Sequence, residues 1–349
     1  MPDPFLFLEL KGETFAMLSD LEVDRGRREA RVDHVVAYSE MEKLVRGKSK
    51  KLPPYASVAA GFLRGLGVRA AQVPADFPFG LASEITKLGV QLRPVVGHFW
   101  PQREIKSKTE LACMKAATLM TETAMRRAFD VLRASKIRKS GELVWSGSVL
   151  TSGRLRTEIE SVVLHLGGIA KNDSIVACGD QACDPHERGH GPILANSLII
   201  LDIFPRDAGT GYYGDLTRTV VRGRATDAQR HLWETCLRGQ KMALAGLKPG
   251  ANGDTLQQSV RTFFTKQGYP TEQRDGRWVG FFHGLGHGLG LEIHEEPRLG
   301  RTVLAPGQVF TVEPGIYVPG VGGVRHEDVA AVTPTGRKLL TSIEKPLEI

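Results

Sequence analysis

Along the first hundred residues the apolar positions switch between two periods. Phe5–Leu10, Thr14–Leu18, His34–Tyr38, Arg69–Val73 and Val90–Val95 are short strand-like runs. Tyr55–Leu66 and Leu81–Leu88 carry helical spacing instead, and Gly67 and Gly89 stand where each helix should stop. Alternating strands and helices predict an α/β fold for this part. The polar, proline-bearing stretch Pro101–Lys108 interrupts the pattern. It predicts a boundary between a domain of residues 1–105 and a second of residues 106–349.

The second part opens with a long helical pattern over Thr109–Ala134. Ala112, Met114–Ala117, Met120, Ala124, Ala128 and Leu132 form its apolar stripe. Another helix is expected over Leu155–Leu166, ended by Gly167-Gly168. From Ile175 onward strand-like runs dominate, broken by helical stretches at Ala228–Leu247 and Asp254–Gln267. Several of these strands come in pairs joined by glycine-rich turns, which predicts α+β architecture with antiparallel hairpins. The chain carries no fixed-period repeat and no low-complexity tract.

Composition narrows the function classes. A chain of 349 residues, 41% hydrophobic and 24% charged, can build two cores without a disulfide framework. Cys113, Cys178, Cys183 and Cys236 form no CxxC pair, and they read as reduced thiols. The net charge of +7 raises the question of an acidic partner. Part of that excess sits in Arg46-Gly47-Lys48-Ser49-Lys50-Lys51, which holds no aromatic side chain to stack on bases, so nucleic acid is not expected. The start, Met1-Pro2-Asp3-Pro4-Phe5, lacks the basic and apolar regions of a signal peptide. No run reaches the roughly 18 apolar residues that a membrane helix needs. A cytoplasmic protein without a membrane partner is the expectation.

Two acids stand where acids are costly. Asp202 interrupts the apolar run Leu198-Ile199-Ile200-Leu201-Asp202-Ile203-Phe204, and Glu313 interrupts Val309-Phe310-Thr311-Val312-Glu313-Pro314. Burying an unpaired carboxylate costs several kcal/mol or forces it to take a proton. A salt bridge or a cap would explain one such acid, but here the pattern repeats. Asp202 leads through a glycine-containing turn to Asp215, and Glu313 leads through Pro319-Gly320-Val321-Gly322-Gly323 to Glu327, at offsets of 13 and 14. Each hairpin can therefore set two acids near one another, where they repel unless a cation lies between them. Four carboxylates suit one or two divalent ions. Nearby, His283-Gly284-Leu285-Gly286-His287-Gly288-Leu289-Gly290-Leu291-Glu292-Ile293-His294 places three histidines among four glycines, which let backbone approach closely and leave room for a ligand.

The ordered set of Asp in LIILD, Asp in GDLTRT, His in HGLGHGLG, Glu in TVEPGIY and Glu in GVRHED resembles the pita-bread metallopeptidases. These are the Xaa-Pro aminopeptidases, the prolidases and, more distantly, the methionine aminopeptidases. The resemblance covers roughly residues 106–349, and the first part is compatible with the family's smaller creatinase-like domain, here shortened. It implies an α/β N-terminal domain followed by an α+β pita-bread catalytic domain whose antiparallel hairpins carry the metal ligands. It also implies two divalent ions, manganese foremost, with cobalt, zinc or iron as alternatives. The implied metal ligands are Asp202, Asp215, His287, Glu313 and Glu327, with Asp215 and Glu327 bridging. Glu313 would take the proton of the attacking water, His294 would face the substrate carbonyl, and His186 would contact the scissile-bond region. His283 and Arg325 would bind substrate, Arg325 by orienting a carboxylate.

Two positions stay open. The offset of 13 between the aspartates is longer than is usual in the family, and Asp207 in Asp207-Ala208-Gly209 competes with Asp202, which is preferred because it lies in the apolar strand. His190 competes with His186. The reading is an exopeptidase that removes the N-terminal residue from peptides, foremost an Xaa-Pro aminopeptidase acting as a homodimer. The alternatives are a prolidase acting on Xaa-Pro dipeptides, and a creatinase-like C–N hydrolase or metal-free binding module. The last two typically lose the ligand residues, and all five are present here.

Overall fold

Apolar alternation in the first strands leaves one face half-buried. In β1 (Leu6–Leu10), Leu6, Leu8 and Leu10 turn toward other apolar side chains while Phe7 and Glu9 are exposed. Lys11 and Gly12, both at positive φ, make the tight turn into β2 (Glu13–Leu18). The computed structural model describes residues 4–170 and 173–349, and its contacts divide the chain into two compact units, Met1–Trp100 and Pro101–Ile349.

In the first unit, β1 and β2 pair antiparallel, and β3 (His34–Ala37) joins β2 in parallel. Helices α1 (Val23–Glu29) and α2 (Tyr38–Arg46) flank β3, and α3 (Tyr55–Gly65) buries Ala56, Val58, Ala59, Ala60, Phe62 and Leu63. A parallel pair, β4 (Ala70–Val73) and β5 (Gln91–Pro94), is connected through α4 (Phe79–Lys87). The expected α/β character holds. Helices α1 and α2 lie outside the elements the pattern predicted.

The second unit begins with α5 (Lys108–Ala134). Ser107 and Glu110 close a reciprocal capping box at its start, and its stripe buries Met114, Ala117, Met120, Ala124, Ala128 and Leu132. It packs with α6 (Ser152–His165) over β6 (Ile175–Cys178), β7 (Leu198–Ile203) and β8 (Leu216–Val221), an antiparallel sheet in the order β6-β7-β8. Helices α7 (Asp227–Gly246) and α8 (Gly253–Lys266) share a second core with β9 (Val309–Val312), β10 (Gly315–Val318), β11 (Gly322–Arg325) and β12 (Asp328–Thr333), the last of which also pairs with β13 (Gly336–Leu339). Strands covered in this way lose the apolar–polar alternation, which is why Leu198–Ile203 is buried throughout. This is the expected α/β part followed by an α+β part, with the acids carried on antiparallel hairpins. Among the described residues, no helix is long and apolar enough to cross a membrane.

Candidate metal centre

The second hairpin is one continuous register with a break in it. Val312 faces Asp328 across β9 and β12, and Gly315 faces Arg325 across β10 and β11. Between the two ladders lie Glu313-Pro314 on one strand and His326-Glu327 on the other. Proline has no N–H to give to a ladder, so pairing lapses there, and continuation of the register sets Glu313 opposite Glu327. The first hairpin differs. Asp202 pairs with Thr217 and Ile203 with Leu216, so Asp215, just before β8, lies diagonally from Asp202 rather than opposite it.

Hydrogen bonds dock the two hairpins side by side. The Glu327 N–H donates to Thr217 O at 3.1 Å, and Thr219 Oγ1 donates to Arg325 O at 2.9 Å. His287 comes from an irregular segment laid along β9: the Thr311 N–H donates to His287 O, and the Glu313 N–H to Leu285 O, both at 2.9 Å. Two glycines permit that approach. A Cβ on Gly286 would lie 2.0 Å from Thr311 O, and one on Gly288 would lie 2.5 Å from Glu295 O.

The result is a cavity of about 530 Å³ whose lining includes Asp202, Asp215, His287, Glu313 and Glu327. Ligand atoms of Asp215, His287 and Glu327 lie within 4.8 Å of one another. His287 Nε2 is 3.6 Å from Asp215 Oδ2 and 3.4 Å from Glu313 Oε1. Its Nδ1 faces Gly288 O at 3.1 Å, so the ring proton belongs there and Nε2 presents a lone pair. Burial, with His294 beside it, pushes the His287 pKa down to about 3, which keeps the ring neutral.

The acids shift the other way. Burial, and then the charges of Asp202 and Glu313, hold Asp215 well above the usual carboxylate range. Glu327 is raised by burial and by Asp215, Glu313 and Asp202. Glu313 is pushed up to about 7, by burial first and then by Asp202, against the opposing pull of Arg325. Asp202 Oδ2 accepts from Arg325 Nη2 at 2.7 Å, while its Oδ1 is buried without a hydrogen-bond partner. Crowded carboxylate oxygens, one of them orphaned, facing an imidazole lone pair form a donor set made for divalent cations. The residues fit such ions.

The cavity also gathers His186, His283, His294 and Arg325. His190, by contrast, has a side chain 76% exposed, set against Glu187. Asp207 is spent in a turn, its Oδ1 accepting from the N–H and Oγ1 of Thr210 at 2.6 and 2.7 Å. His283 and Arg325 reach the wall with their polar atoms engaged. The Arg325 Nη1 donates to the Tyr317 hydroxyl at 2.9 Å, which leaves that O–H to face His283 Nε2, also at 2.9 Å, while His283 Nδ1 meets Gly284 O. Arg325 thus engages Asp202, Tyr317 and, through Nε at 3.4 Å, the Thr217 hydroxyl. The cation in the wall that motif reading missed is Arg298, and the apolar wall includes Ile175, Phe204, Phe282 and Ile293. Thr217 and Thr311 were missed too; their hydroxyls donate to Glu327 Oε2 at 2.7 Å and to Glu313 Oε1 at 3.3 Å. GDLTRT holds one of these threonines and TVEPGIY the other, so the flanks of the acid motifs were the available signal.

Comparison with known proteins agrees with this geometry. The sequence model of metallopeptidase family M24 matches residues 112–334. An Xaa-Pro dipeptidase of Pyrococcus horikoshii is 30% identical over 292 residues, 80% of this chain and 75% of that protein. One from Lactobacillus delbrueckii subsp. lactis is 30% identical over 99% of this chain and 87% of its own length. Among solved structures, the Xaa-Pro dipeptidase from Bacillus anthracis aligns over 100% of this chain and 90% of its own, with a TM-score of 0.83 and 25% identity. The X-Pro aminopeptidase of Thermotoga maritima, at 22% identity and a TM-score of 0.80 over 99% of this chain and 90% of its own, shares the fold.

Proposed function

Because this chain belongs to metallopeptidase family M24, in its Xaa-Pro aminopeptidase and prolidase branch, we propose that it hydrolyses Xaa-Pro dipeptides using a pair of divalent cations, manganese foremost. Sequence reading put an aminopeptidase first. The relatives named above shift the preference to the dipeptidase. The observation that carries the reading is the composition of one cavity: four carboxylates and His287, with Arg298 in the same wall to meet the free carboxylate of a dipeptide.

Asp202, Asp215, His287, Glu313 and Glu327 would hold the ions. Bound there, divalent cations supply the Lewis acidity that makes water a nucleophile near neutral pH. Glu313, lining the cavity beside His287, would take the water's proton and pass it toward the departing proline nitrogen. His294, which lines the cavity with its ring 4.4 Å from that of His287, donates to the carbonyl oxygen as charge develops on it. His186 hydrogen-bonds beside the scissile bond. Arg325 keeps Asp202 in place, and His283 and Tyr317 keep Arg325 in place. The assembly under this reading is a homodimer.

A peptide panel tests it. Ala-Pro is expected to be cleaved at least about tenfold more efficiently than Ala-Ala or Ala-Pro-Ala, a difference of ~1.4 kcal/mol in transition-state binding. Faster release of alanine from Ala-Pro-Ala than from Ala-Pro would make the protein an aminopeptidase. Equal cleavage of Ala-Ala would remove the proline requirement.

A further inference from the structure

A second cavity, of about 800 Å³, opens beside the one that holds the acids. The two share Phe282, His283, Gly284, Gly286 and Arg298 as lining. Gly284 leaves the shared wall open: a Cβ built on it would meet nothing nearer than 3.9 Å. The second cavity is strongly polar in its residues and carries an excess of cations. Arg261, Arg298 and Arg301 line it against Asp254 and Glu296. One of those acids is already engaged, since Glu296 Oε2 accepts the Arg298 backbone N–H at 3.0 Å. Arg261 projects from α8, and its Nε is buried without a hydrogen-bond partner. Arg261 thus brings to the cavity wall a guanidinium whose Nε is unspent within the protein, and a carboxylate is the group whose geometry a guanidinium matches.

We propose that this cavity is a carboxylate-binding subsite for the residue that follows proline, with Arg261 and Arg301 selecting an acidic side chain there. The inference rests on the Xaa-Pro reading above and extends it. A dipeptide ends at the first cavity, where its carboxylate meets Arg298. A third residue advances the chain by roughly 3.5 Å, past Gly284 and into the second cavity. The protein then works slowly on most Xaa-Pro tripeptides and selectively on those with aspartate or glutamate in third place.

The test compares kcat/KM for Ala-Pro, Ala-Pro-Ala and Ala-Pro-Glu with metal-loaded enzyme. Ala-Pro-Glu should exceed Ala-Pro-Ala by about tenfold at low salt, and the ratio should fall as salt screens the pair. In Arg261→Gln and Arg301→Gln the ratio of the two tripeptides should approach one. Arg261→Lys should retain part of it. Gly284→Leu, which places a side chain at the shared wall, should depress both tripeptides relative to Ala-Pro. Cleavage of Ala-Pro together with equal tripeptide rates, or with no tripeptide cleavage, would overturn the inference alone. Failure to cleave Ala-Pro would overturn the Xaa-Pro reading and the inference with it.

Discussion

Asp215, Glu313 and Glu327 repel one another across a buried space, and the polypeptide by itself offers them little compensation. Thr217 and Thr311 give one hydroxyl hydrogen bond each, and Arg325 serves Asp202. Without cations, the remaining relief is a proton. This has a definite pH signature. Glu313 has an ordinary pKa of 4.5 and is raised to about 7 in the folded chain, and Asp215 and Glu327 move in the same direction. Between those values the folded state binds protons that the unfolded state does not. Stability is therefore greatest below the unfolded pKa and is lost as pH rises through the folded one. Metal-stripped protein should melt at a lower temperature at pH 8 than at pH 5, and saturating manganese should flatten or reverse that slope. Calorimetry across the range checks this. A stripped protein whose Tm rises from pH 5 to pH 8 would mean the acids are paired within the chain.

At the scale of elements, the site depends on two hairpins staying in register with each other. Arg218 is the tie. It is 1% exposed, and its guanidinium donates to Thr217 O at 2.9 Å, Glu327 O at 2.5 Å and Asp328 Oδ1 at 2.9 Å. Replacing it with methionine leaves Asp328 buried with Lys345, Thr341 and Gln240 as its partners. The expected loss is about 3 kcal/mol in urea unfolding, within the range for breaking a buried pair, together with weaker metal binding. Unchanged stability would show that β8 and β12 hold together without it. The long elements were legible because burial on one face writes a period into the sequence: the stripe of α5 predicted Thr109–Ala134 against an observed Lys108–Ala134. Helices α1 and α2 were not legible for physical reasons. Val23-Asp24-Arg25-Gly26-Arg27-Arg28-Glu29 buries only Val23 and Gly26, and α2 buries no residue fully and begins without a side-chain cap.

For the molecule as a whole, function was more legible than geometry. Each acid was conspicuous because an apolar strand cannot hold it unaided, and the matching order of five residues added the family. The closeness of those acids was only half readable. Equal treatment of the two hairpins predicted side-by-side pairs, whereas the register gives a facing pair at Glu313 and Glu327 and a diagonal pair at Asp202 and Asp215. Arg298 left no trace in the motifs, because a cation in a polar loop reads as an ordinary surface residue until the loop folds over the cavity. The central claim is that the cavity is a divalent-metal peptidase site, and adding metal back to stripped protein tests it most directly. Chelator-treated protein should leave Ala-Pro intact, and manganese should restore cleavage until about two ions per chain are bound. Full hydrolysis of Ala-Pro by protein shown to be free of metal would contradict the account.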